Sequence, residues 1–425
     1  MKASIIPSEQ TREWLHEPRY IDRLAKKMII NRLNRLRYGR LVIITGDETL
    51  SFGDLCDAFD LSITLTVHDQ RFFTDLAFGG TIGAGEAYMQ GFWHCNDLTG
   101  LVRIMLRNRE LLDSFDSSMS YLAAPLHKLY HLLKRNTLAG SRRNIQAHYD
   151  LGNDLFKLFL DETMMYSSGI FPRTSSSLYE ASLTKLARIC QKLDLRPSDH
   201  VIEIGTGWGG FAIYAAQNYG CRVTTTTISY AQYQQAKQRI SEAGLDDRIE
   251  VLFSDYRELS GQYDKLVSIE MIEAIGYQNY DNYFEKCSSL LKADGLMLIQ
   301  AITIADQQFE AARRSVDFIQ RYIFPGSCIP SLSIMADSVR RSSDLRLYNI
   351  EDIGPHYART LQLWRERFLD NVSKVRKLGY PETFIKMWEF YLSYCEGGFI
   401  ERALGDVQML MIKPQNRRQP YVPGL

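Results

Sequence analysis

Hydrophobic and polar positions follow two different patterns along the chain, which indicates two domains. From Tyr20 to Tyr38, apolar residues recur at helical spacing and basic residues fill much of the remainder, so we predict a basic amphipathic helix. Between Leu41 and Phe78, the runs LVIIT, SITLTVHD and RFFTDLAF are separated by turn residues and predict hairpin-like strands. A glycine-rich turn and a helical pattern follow them. We predict an α+β domain over residues 1–135, with a loose arm at 1–18 and a basic, polar join at 128–144.

From residue 140 to residue 425, short apolar runs alternate with helical segments. The predicted strands are 201–204, 221–228, 249–254, 265–270 and 295–303, and the predicted helices are 178–193, 230–243 and 279–291. Such alternation is typical of a parallel sheet covered on both faces. We expect Val407–Lys413 to be its antiparallel edge strand. The stretches 305–341 and 355–398 exceed ordinary loop lengths and predict a cover over the substrate.

Composition excludes several classes of protein. The chain has 50 basic and 50 acidic residues, which gives no whole-chain signal for nucleic acid. Its seven cysteines form no CxxC pair and no secretory leader is evident, so we expect reduced thiols and a cytoplasmic location. No apolar run approaches the roughly 20 residues that span a bilayer. Any membrane contact is therefore predicted to be peripheral. The predicted helix 20–38 either packs on its own domain or attracts anionic lipid headgroups. His94 and Cys95 are neighbours, but without further ligands they are not expected to bind a metal.

A glycine-rich segment follows the apolar run Val201–Ile204 and precedes a helical pattern at 211–218. Glycines let the backbone pass close to a ligand, and the helix start offers free N–H groups, although a bare glycine pattern also fits a dinucleotide loop or a simple turn. Here the acid, Glu203, precedes the glycines, and the next strand ends without an acid. The pattern E-x-G-x-G-x-G is similar to the S-adenosylmethionine loop of class I methyltransferases. This predicts a Rossmann-like α/β fold with a seven-stranded sheet and helical substrate-covering insertions, preceded by the smaller α+β domain.

Further motifs carry a closer resemblance. Residues 140–413 contain HYDLGNDLF, YSSG, EIGTGWGG, TISYAQ, SDYRE, YIFPG-x-x-x-PS, LWRERF and YCEGGF. This set resembles the cyclopropane fatty acyl phospholipid synthases and the related mycolic acid and fatty acid methyltransferases. The motif YIFPG-x-x-x-PS is far more specific than the glycine loop, because generic methyltransferases lack it. The N-terminal domain is similar, more weakly, to the domain that precedes the catalytic one in full-length synthases.

The resemblance implies that S-adenosylmethionine is the methyl donor and that a double bond in an acyl chain of a membrane phospholipid is the acceptor. An alkene is a poor nucleophile, so the reaction needs close approach, at about 3 to 3.5 Å, in a dry pocket. The resulting carbocation can be stabilised by aromatic faces, and a base must then remove a proton. Loss from the new methyl closes a cyclopropane, whereas loss elsewhere gives a methylated or methylene-branched chain.

Two readings from other classes remain open, namely a methyltransferase for a soluble small molecule and a non-catalytic lipid-binding module. The long insertions and the basic helix argue against the first. The intact glycines and Glu273 argue against the second. We therefore expect an enzyme bound peripherally to the inner face of a phospholipid bilayer, without a nucleic-acid partner, and the resemblance implies a homodimer.

The resemblance also implies positions for cofactor binding. They are Tyr166, Ser167, Glu203, Gly205, Gly207, Gly209, Thr227, Ser229, Gln232, Asp255 and Tyr256. The glycines would approach the methionine part of the cofactor, and Glu203 would either brace the turn or hold the amino group. Neutral hydrogen bonds from Thr227, Ser229 and Gln232 would replace the usual ribose-binding acid. Asp255 and Tyr256 would meet the adenine.

Glu273 and Tyr357 are the leading candidates for the chemistry. In the family that the motifs resemble, a bound bicarbonate serves as the base and is held in part by a cysteine and a histidine. Those two positions are Ser168 and Gln300 here, which can donate hydrogen bonds but carry no charge. The sequence therefore argues against a conventional bicarbonate site and makes Glu273 the predicted base, with Tyr357 orienting the proton acceptor. Cys395 matches a family cysteine, and we expect it to be a buried structural thiol.

Overall fold

The structure, a computed structural model, describes residues 17–117 and 152–417 of the chain. The described residues divide into two compact units, one formed by 17–117 with 382–390 and the other by 152–381 with 391–417. The predicted join at 128–144 and most of the predicted arm lie outside the described residues, as does the predicted domain boundary. Among the described helices, none combines the length and apolar character needed to cross a bilayer.

The first unit combines helices with a small mixed sheet. Its elements are α1 (Tyr20–Leu33), β1 (Arg40–Thr45), β2 (Glu48–Phe52), β3 (Ser62–Val67), α2 (Arg71–Met89), β4 (Trp93–Cys95), α3 (Leu98–Arg107) and α4 (Arg109–Ser117). The strand order is β2-β1-β3-β4, with β1 parallel to β3 and antiparallel to β2. Helix α1 buries Ala25, Ile29 and Leu33, which agrees with the predicted helical spacing.

One strand prediction in this unit is wrong. The run RFFTDLAF is the beginning of helix α2, whereas the strand β2, which was not predicted, pairs with β1. Helix α2 buries Phe72, Phe73 and Ala77, a spacing that fits a helix and not the alternation of a strand. Because aromatic residues are typical of strands, this short segment gave the wrong signal on its own.

The second unit alternates strands and helices. It contains α5 (Asn153–Lys157), α6 (Leu178–Leu193), β5 (His200–Ile204), α7 (Gly210–Tyr219), β6 (Arg222–Thr227), α8 (Tyr230–Glu242), β7 (Ile249–Phe253), β8 (Tyr263–Ile269), α9 (Tyr280–Ser289) and β9 (Leu291–Ile304). It continues with α10 (Asp306–Ala312), α11 (Phe318–Tyr322), α12 (Leu332–Ser342), β10 (Arg346–Asp352), α13 (Gly354–Asp370), α14 (Val372–Lys377), the part of α15 (Glu382–Ile400) from residue 391 onward, and β11 (Leu404–Ile412).

These strands form a seven-stranded sheet of order β10-β11-β9-β8-β5-β6-β7. The run from β9 to β7 is parallel, as predicted, and β11 is antiparallel to both β9 and β10. Apolar clusters cover both faces, with Val201 on one and Ile202 on the other. Since parallel strands end at the same edge, residues that follow β5, β6, β8 and β9 are brought together there.

The predicted position of the antiparallel strand needs correction. Strand β11 lies inside the sheet, and the edge strand is β10, which was not predicted. The residues of β11 from Asp406 to Met411 are all buried, as expected for an interior strand, whereas β10 is only partly covered. Both long insertions are helical, since 305–341 contains α10 to α12 and 355–398 contains most of α13 to α15.

Candidate active site

The glycine loop joins β5 to α7 and borders open space. Gly205, Gly207 and Gly209 have φ angles of +103°, +52° and +84°, which side-chain-bearing residues rarely adopt. A Cβ added at Gly207 would meet no atom within 4 Å, so the backbone is accessible there. Helix α7 begins directly after the loop, and its first N–H groups favour a negatively charged group.

Glu203 lies beneath this loop with 2% of its surface exposed. Its Oε2 accepts a hydrogen bond from the Thr225 hydroxyl at 2.6 Å, and this hydroxyl is 2.7 Å from that of Thr206 in the loop. Burial raises the pKa of Glu203 to about 8. Of the two roles left open by the sequence, this contact favours bracing of the turn, because it links β5 and the loop to β6.

The end of β6 supplies a second group of polar side chains. Thr227 donates a hydrogen bond to the Gln232 side chain at 2.9 Å and accepts one from the Ser229 N–H at 3.1 Å. Ser229 caps helix α8. All three residues are buried and linked by hydrogen bonds, the Ser229 hydroxyl accepting the Gln232 N–H, so the structure brings these predicted residues together at the carboxyl edge of the sheet.

Asp255 and Tyr256, predicted to meet the adenine, follow β7. Both carboxylate oxygens of Asp255 are bonded to the Arg257 guanidinium, with a shortest distance of 2.7 Å. The Tyr256 ring stacks edge-on against Tyr283, at 5.5 Å between centroids. Neither contact involves the glycine loop, and the adenine assignment stays a prediction.

Tyr166 and Ser167 lie in the segment before α6. The Tyr166 hydroxyl is 2.8 Å from that of Tyr391. Ser167 accepts a hydrogen bond at 2.6 Å from Lys185, whose side chain is fully buried. Burial lowers the pKa of Lys185 to about 8, while nearby carboxylates, Glu270 first among them, oppose that shift.

These features fit S-adenosylmethionine. The open space at Gly207 admits a ligand, the start of α7 suits its carboxylate, and the hydroxyls and amide at the end of β6 suit a ribose. The glycine loop and the end of β6 could therefore hold the cofactor, and their role in binding it stays a prediction.

Glu273 lies in a short 3₁₀ turn after β8 and is almost completely buried. Its Oε1 accepts the Ile302 N–H at 2.6 Å, and its Oε2 has no hydrogen-bond partner among the described residues. Burial and the negative charge of Glu270 raise the pKa of Glu273 to about 8. A buried oxygen without a partner costs free energy, so this geometry is typical of a functional carboxyl.

A second carboxyl, Glu270, was missed by sequence reasoning. It directly follows β8 and accepts hydrogen bonds from the Tyr357 hydroxyl at 2.6 Å, the Gln300 amide at 2.7 Å and the Ser168 N–H at 2.9 Å. Three of the predicted catalytic residues therefore converge on a group that was not predicted. The Ser168 hydroxyl donates to the Gly169 carbonyl at 3.0 Å.

Asp406, also missed, completes the cluster. The Gln300 side-chain nitrogen, which donates to Glu270, also donates to Asp406 at 3.0 Å, and the Gln300 oxygen accepts from Gln408 at 3.2 Å. Burial and the charge of Glu270 raise the pKa of Asp406 well above its ordinary value. Glu270, Glu273 and Asp406 thus form a buried acidic cluster in which not all members are ionised at neutral pH.

Aromatic side chains from both insertions surround this region. Ring centroids are 4.4 Å apart for Tyr357 and Phe399, 6.0 Å for Tyr357 and Trp364, and 5.2 Å for Trp364 and Tyr166. Phe324 of the YIFPG motif lies 6.4 Å from Tyr166. The aromatic cluster of Tyr166, Phe324, Tyr357, Trp364 and Phe399 therefore reaches from the predicted cofactor residues to the acidic cluster.

Cys395 lies in α15 and is partly buried. Within the described structure its thiol has no hydrogen bond to the acidic cluster, and desolvation raises the pKa of the thiol well above its ordinary value. A thiol with a raised pKa is a poor nucleophile. That Cys395 is a structural thiol stays a prediction.

Comparison with known proteins adds a family context to this geometry. The sequence model described as mycolic acid cyclopropane synthetase matches residues 137–409. The chain is 38% identical over 341 residues to the tuberculostearic acid methyltransferase UfaA1 of Mycobacterium tuberculosis, a match that covers 79% of each chain. It is 36% identical over 352 residues to the cyclopropane-fatty-acyl-phospholipid synthase of Escherichia coli, covering 82% of this chain and 86% of the relative.

Solved structures agree with these sequence matches. One is the crystal structure of the mycolic acid cyclopropane synthase CmaA1 in complex with SAH and CTAB. Its sequence is 30% identical to this chain, and the superposition has a TM-score of 0.60 and covers 64% of this chain and 98% of the other. Coclaurine N-methyltransferase, with SAH bound, is 20% identical with a TM-score of 0.60 over 77% of this chain and 98% of the other, which shows the fold alone. The predicted class I methyltransferase fold and its cofactor, S-adenosylmethionine, are confirmed.

Proposed function

This chain belongs to the mycolic acid cyclopropane synthetase family, and from that premise we propose that it adds a one-carbon unit to double bonds in the acyl chains of membrane phospholipids. The chain is an enzyme that uses S-adenosylmethionine to methylate or cyclopropanate lipid acyl chains. The phospholipid acceptor and a cyclopropane product are the proposal.

The observation that carries the proposal is the aromatic cluster next to the buried acidic cluster. S-adenosylmethionine, when bound, supplies an electrophilic methyl group. The faces of Tyr357, Trp364 and Tyr166 carry partial negative charge that stabilises a positive charge on an acyl chain. The helical insertions exclude water, which would otherwise capture the cation. A neighbouring carboxylate then removes a proton from the new methyl group. The electron pair of the broken C–H bond closes the ring.

A chain with a methyl or methylene branch is the second candidate product. The relative from Mycobacterium tuberculosis is named a tuberculostearic acid methyltransferase, whereas the one from Escherichia coli is named a cyclopropane synthase. Ser168 and Gln300 mark the departure from the bicarbonate-holding pattern, and this departure bears on proton removal, the step at which the two products diverge. The sequence identity to these two relatives therefore supports both candidate products.

Incubation of the purified protein with S-adenosylmethionine and monounsaturated phosphatidylglycerol vesicles tests the function. We expect acyl chains that gain one CH2 unit, measured by mass spectrometry of the released fatty acids. Catalytic hydrogenation of the product separates the outcomes, because a ring resists it and a double bond does not. Methylation of a water-soluble compound without any change in the lipid would contradict the proposal.

The exposed face of α1 supports a peripheral contact with an anionic bilayer. Tyr20, Ile21, Leu24 and Met28 are apolar and exposed, with 48% of the Leu24 surface accessible. Arg23 and Lys27 lie exposed between them. Basic residues near an anionic surface contribute about 1 kcal/mol each, and the apolar side chains can enter the interface.

None of the seven cysteines is disulfide-bonded, which supports the proposed inner face of the membrane. A homodimer stays part of the proposal.

Charge on this face should weaken membrane binding. For the double variant Leu24→Glu/Met28→Glu we expect at least about tenfold weaker binding to phosphatidylglycerol vesicles, because two apolar contacts are lost and two repulsive charges are added. Co-sedimentation with vesicles measures the change. Leu378→Glu, at a leucine with a similar exposure of 45%, is the matched control and should bind as the wild type does. Equal weakening in both proteins would show that α1 is not the contact.

A further inference from the structure

Glu270 holds a position that its backbone does not favour. Its φ angle is +48°, in the left-handed region, which costs a residue with a side chain about 1 to 2 kcal/mol. Its N–H is bonded to the Gln300 carbonyl at 2.8 Å, so the strained conformation is fixed to the neighbouring strand β9. The conformation places the carboxyl among three donors from separate segments of the chain. Retained strain of this kind points to a function for the side chain.

The donors favour the ionised form of Glu270. A neutral acid would need an acceptor for its own proton, whereas Ser168, Gln300 and Tyr357 all donate to its oxygens. Lys185 lies close enough to contribute a favourable charge. Burial opposes these effects and raises the pKa of Glu270, which makes its carboxylate a stronger base.

Glu273 has the opposite surroundings. It receives a single N–H, from Ile302, and its second oxygen is without a hydrogen-bond partner among the described residues. The negative charge of Glu270 disfavours a second charge nearby, so at neutral pH the proton of the pair resides mainly on Glu273. A carboxyl that already carries a proton cannot accept another one.

We propose that Glu270 accepts the proton from the methylated acyl chain and that Glu273 stays protonated beside it. This rests on the proposed function. A C–H bond of the newly added methyl group breaks, and its electron pair forms a C–C bond from that carbon to the cationic carbon, which closes the three-membered ring. The proton is transferred to Oε2 of Glu270, which accepts a hydrogen bond from the Tyr357 hydroxyl at 2.6 Å. The positive charge on the chain and the negative charge on Glu270 cancel, and the proton later passes to water.

The proposal predicts that a small anion can replace the side chain. Glu270→Gly removes the carboxyl and the backbone strain, and it leaves a space bounded by the same three donors. We expect turnover to fall by about 100-fold or more, in the range of lost general-base catalysis, and formate, acetate or bicarbonate to restore it at least about tenfold. Glu270→Gln fills the space without a base, so it should lose the same turnover and regain none.

Two further measurements decide between the carboxyls. Formate should raise the melting temperature of Glu270→Gly but not of Glu270→Gln, a readout that needs no lipid. Glu273→Gln imitates the neutral acid, and its turnover should fall by less than about tenfold. An active Glu270→Gln, an inactive Glu273→Gln, or a Glu270→Gly that no anion restores would overturn the proposal. A wild-type protein that modifies no lipid would instead contradict the proposed function, while the formate effect on melting would still report the anion site.

Discussion

Gly207→Leu should weaken the binding of S-adenosylmethionine by on the order of 100-fold or more, equivalent to about 2.7 kcal/mol. At this glycine a Cβ would meet no atom within 4 Å, so the added side chain enters the open space without colliding with the protein. That space is the one we assign to the cofactor. The variant is therefore expected to fold, and calorimetric titration measures the loss of affinity directly.

A matched control separates occupation of the space from backbone strain. Gly244, after α8, also has a positive φ angle, +66° against +52° at Gly207, and is likewise open. Leucine at either position costs about 1 to 2 kcal/mol of conformational strain. Both variants should melt at similar temperatures, and only Gly207→Leu should lose affinity. Wild-type affinity in Gly207→Leu would mean that the cofactor does not use this loop.

The parallel core of the sheet could be predicted because its signal is local. Strand β5 is a short apolar run that ends in glycines, and its neighbour β6, RVTTTT, consists mainly of β-branched residues. The elements that were missed lack such a signal. Strand β10 has the sequence RLYNIED, in which charged ends and a partly covered face resemble a loop, and its position depends on pairing with β11.

The acidic cluster was only partly predictable for a related reason. Glu273 and Tyr357 were found through motifs, but Glu270, which accepts a hydrogen bond from the Tyr357 hydroxyl, was not. Glu270 is 102 positions from Ser168 and 87 from Tyr357, so its hydrogen bonds exist only in the folded chain. The available signal was the spacing of two acids in SIEMIE directly after a strand. That spacing is too common to assign a role without the structure.

Glu203→Gln should change how stability depends on pH. The pKa of Glu203 is raised to about 8 in the folded chain, against 4.5 for the ordinary group. Below pH 4.5 the folded and unfolded states are both protonated, and the contribution of the group to stability is fully present. As the pH rises toward 8, only the unfolded state loses its proton, so stability falls by up to about 1.4 kcal/mol per pH unit.

Urea unfolding at pH 5 and pH 8, without cofactor, measures this effect. Between pH 5 and pH 8, the free energy of unfolding of the wild type should fall by several kcal/mol more than that of Glu203→Gln. This difference is on the order of the free energy that corresponds to the pKa shift of Glu203. Glu242→Gln, which alters an exposed acid of α8, is the control and should follow the wild type. Parallel curves for the wild type and Glu203→Gln would show that Glu203 is not held protonated.

The same variant decides between the two roles of Glu203. A glutamine oxygen can still accept the Thr225 hydroxyl, so a residue that braces the turn would leave the affinity for S-adenosylmethionine within a few-fold of the wild type. A residue that holds the amino group would lose a charge-assisted hydrogen bond, worth about 1.5 to 3 kcal/mol, and its ionisation would release a proton on binding. We expect the first result, because the Thr225 contact already joins the loop to β6. Proton release by the wild type when S-adenosylmethionine binds, measured by calorimetric titration in buffers of different ionisation enthalpy, would instead indicate that Glu203 holds the amino group.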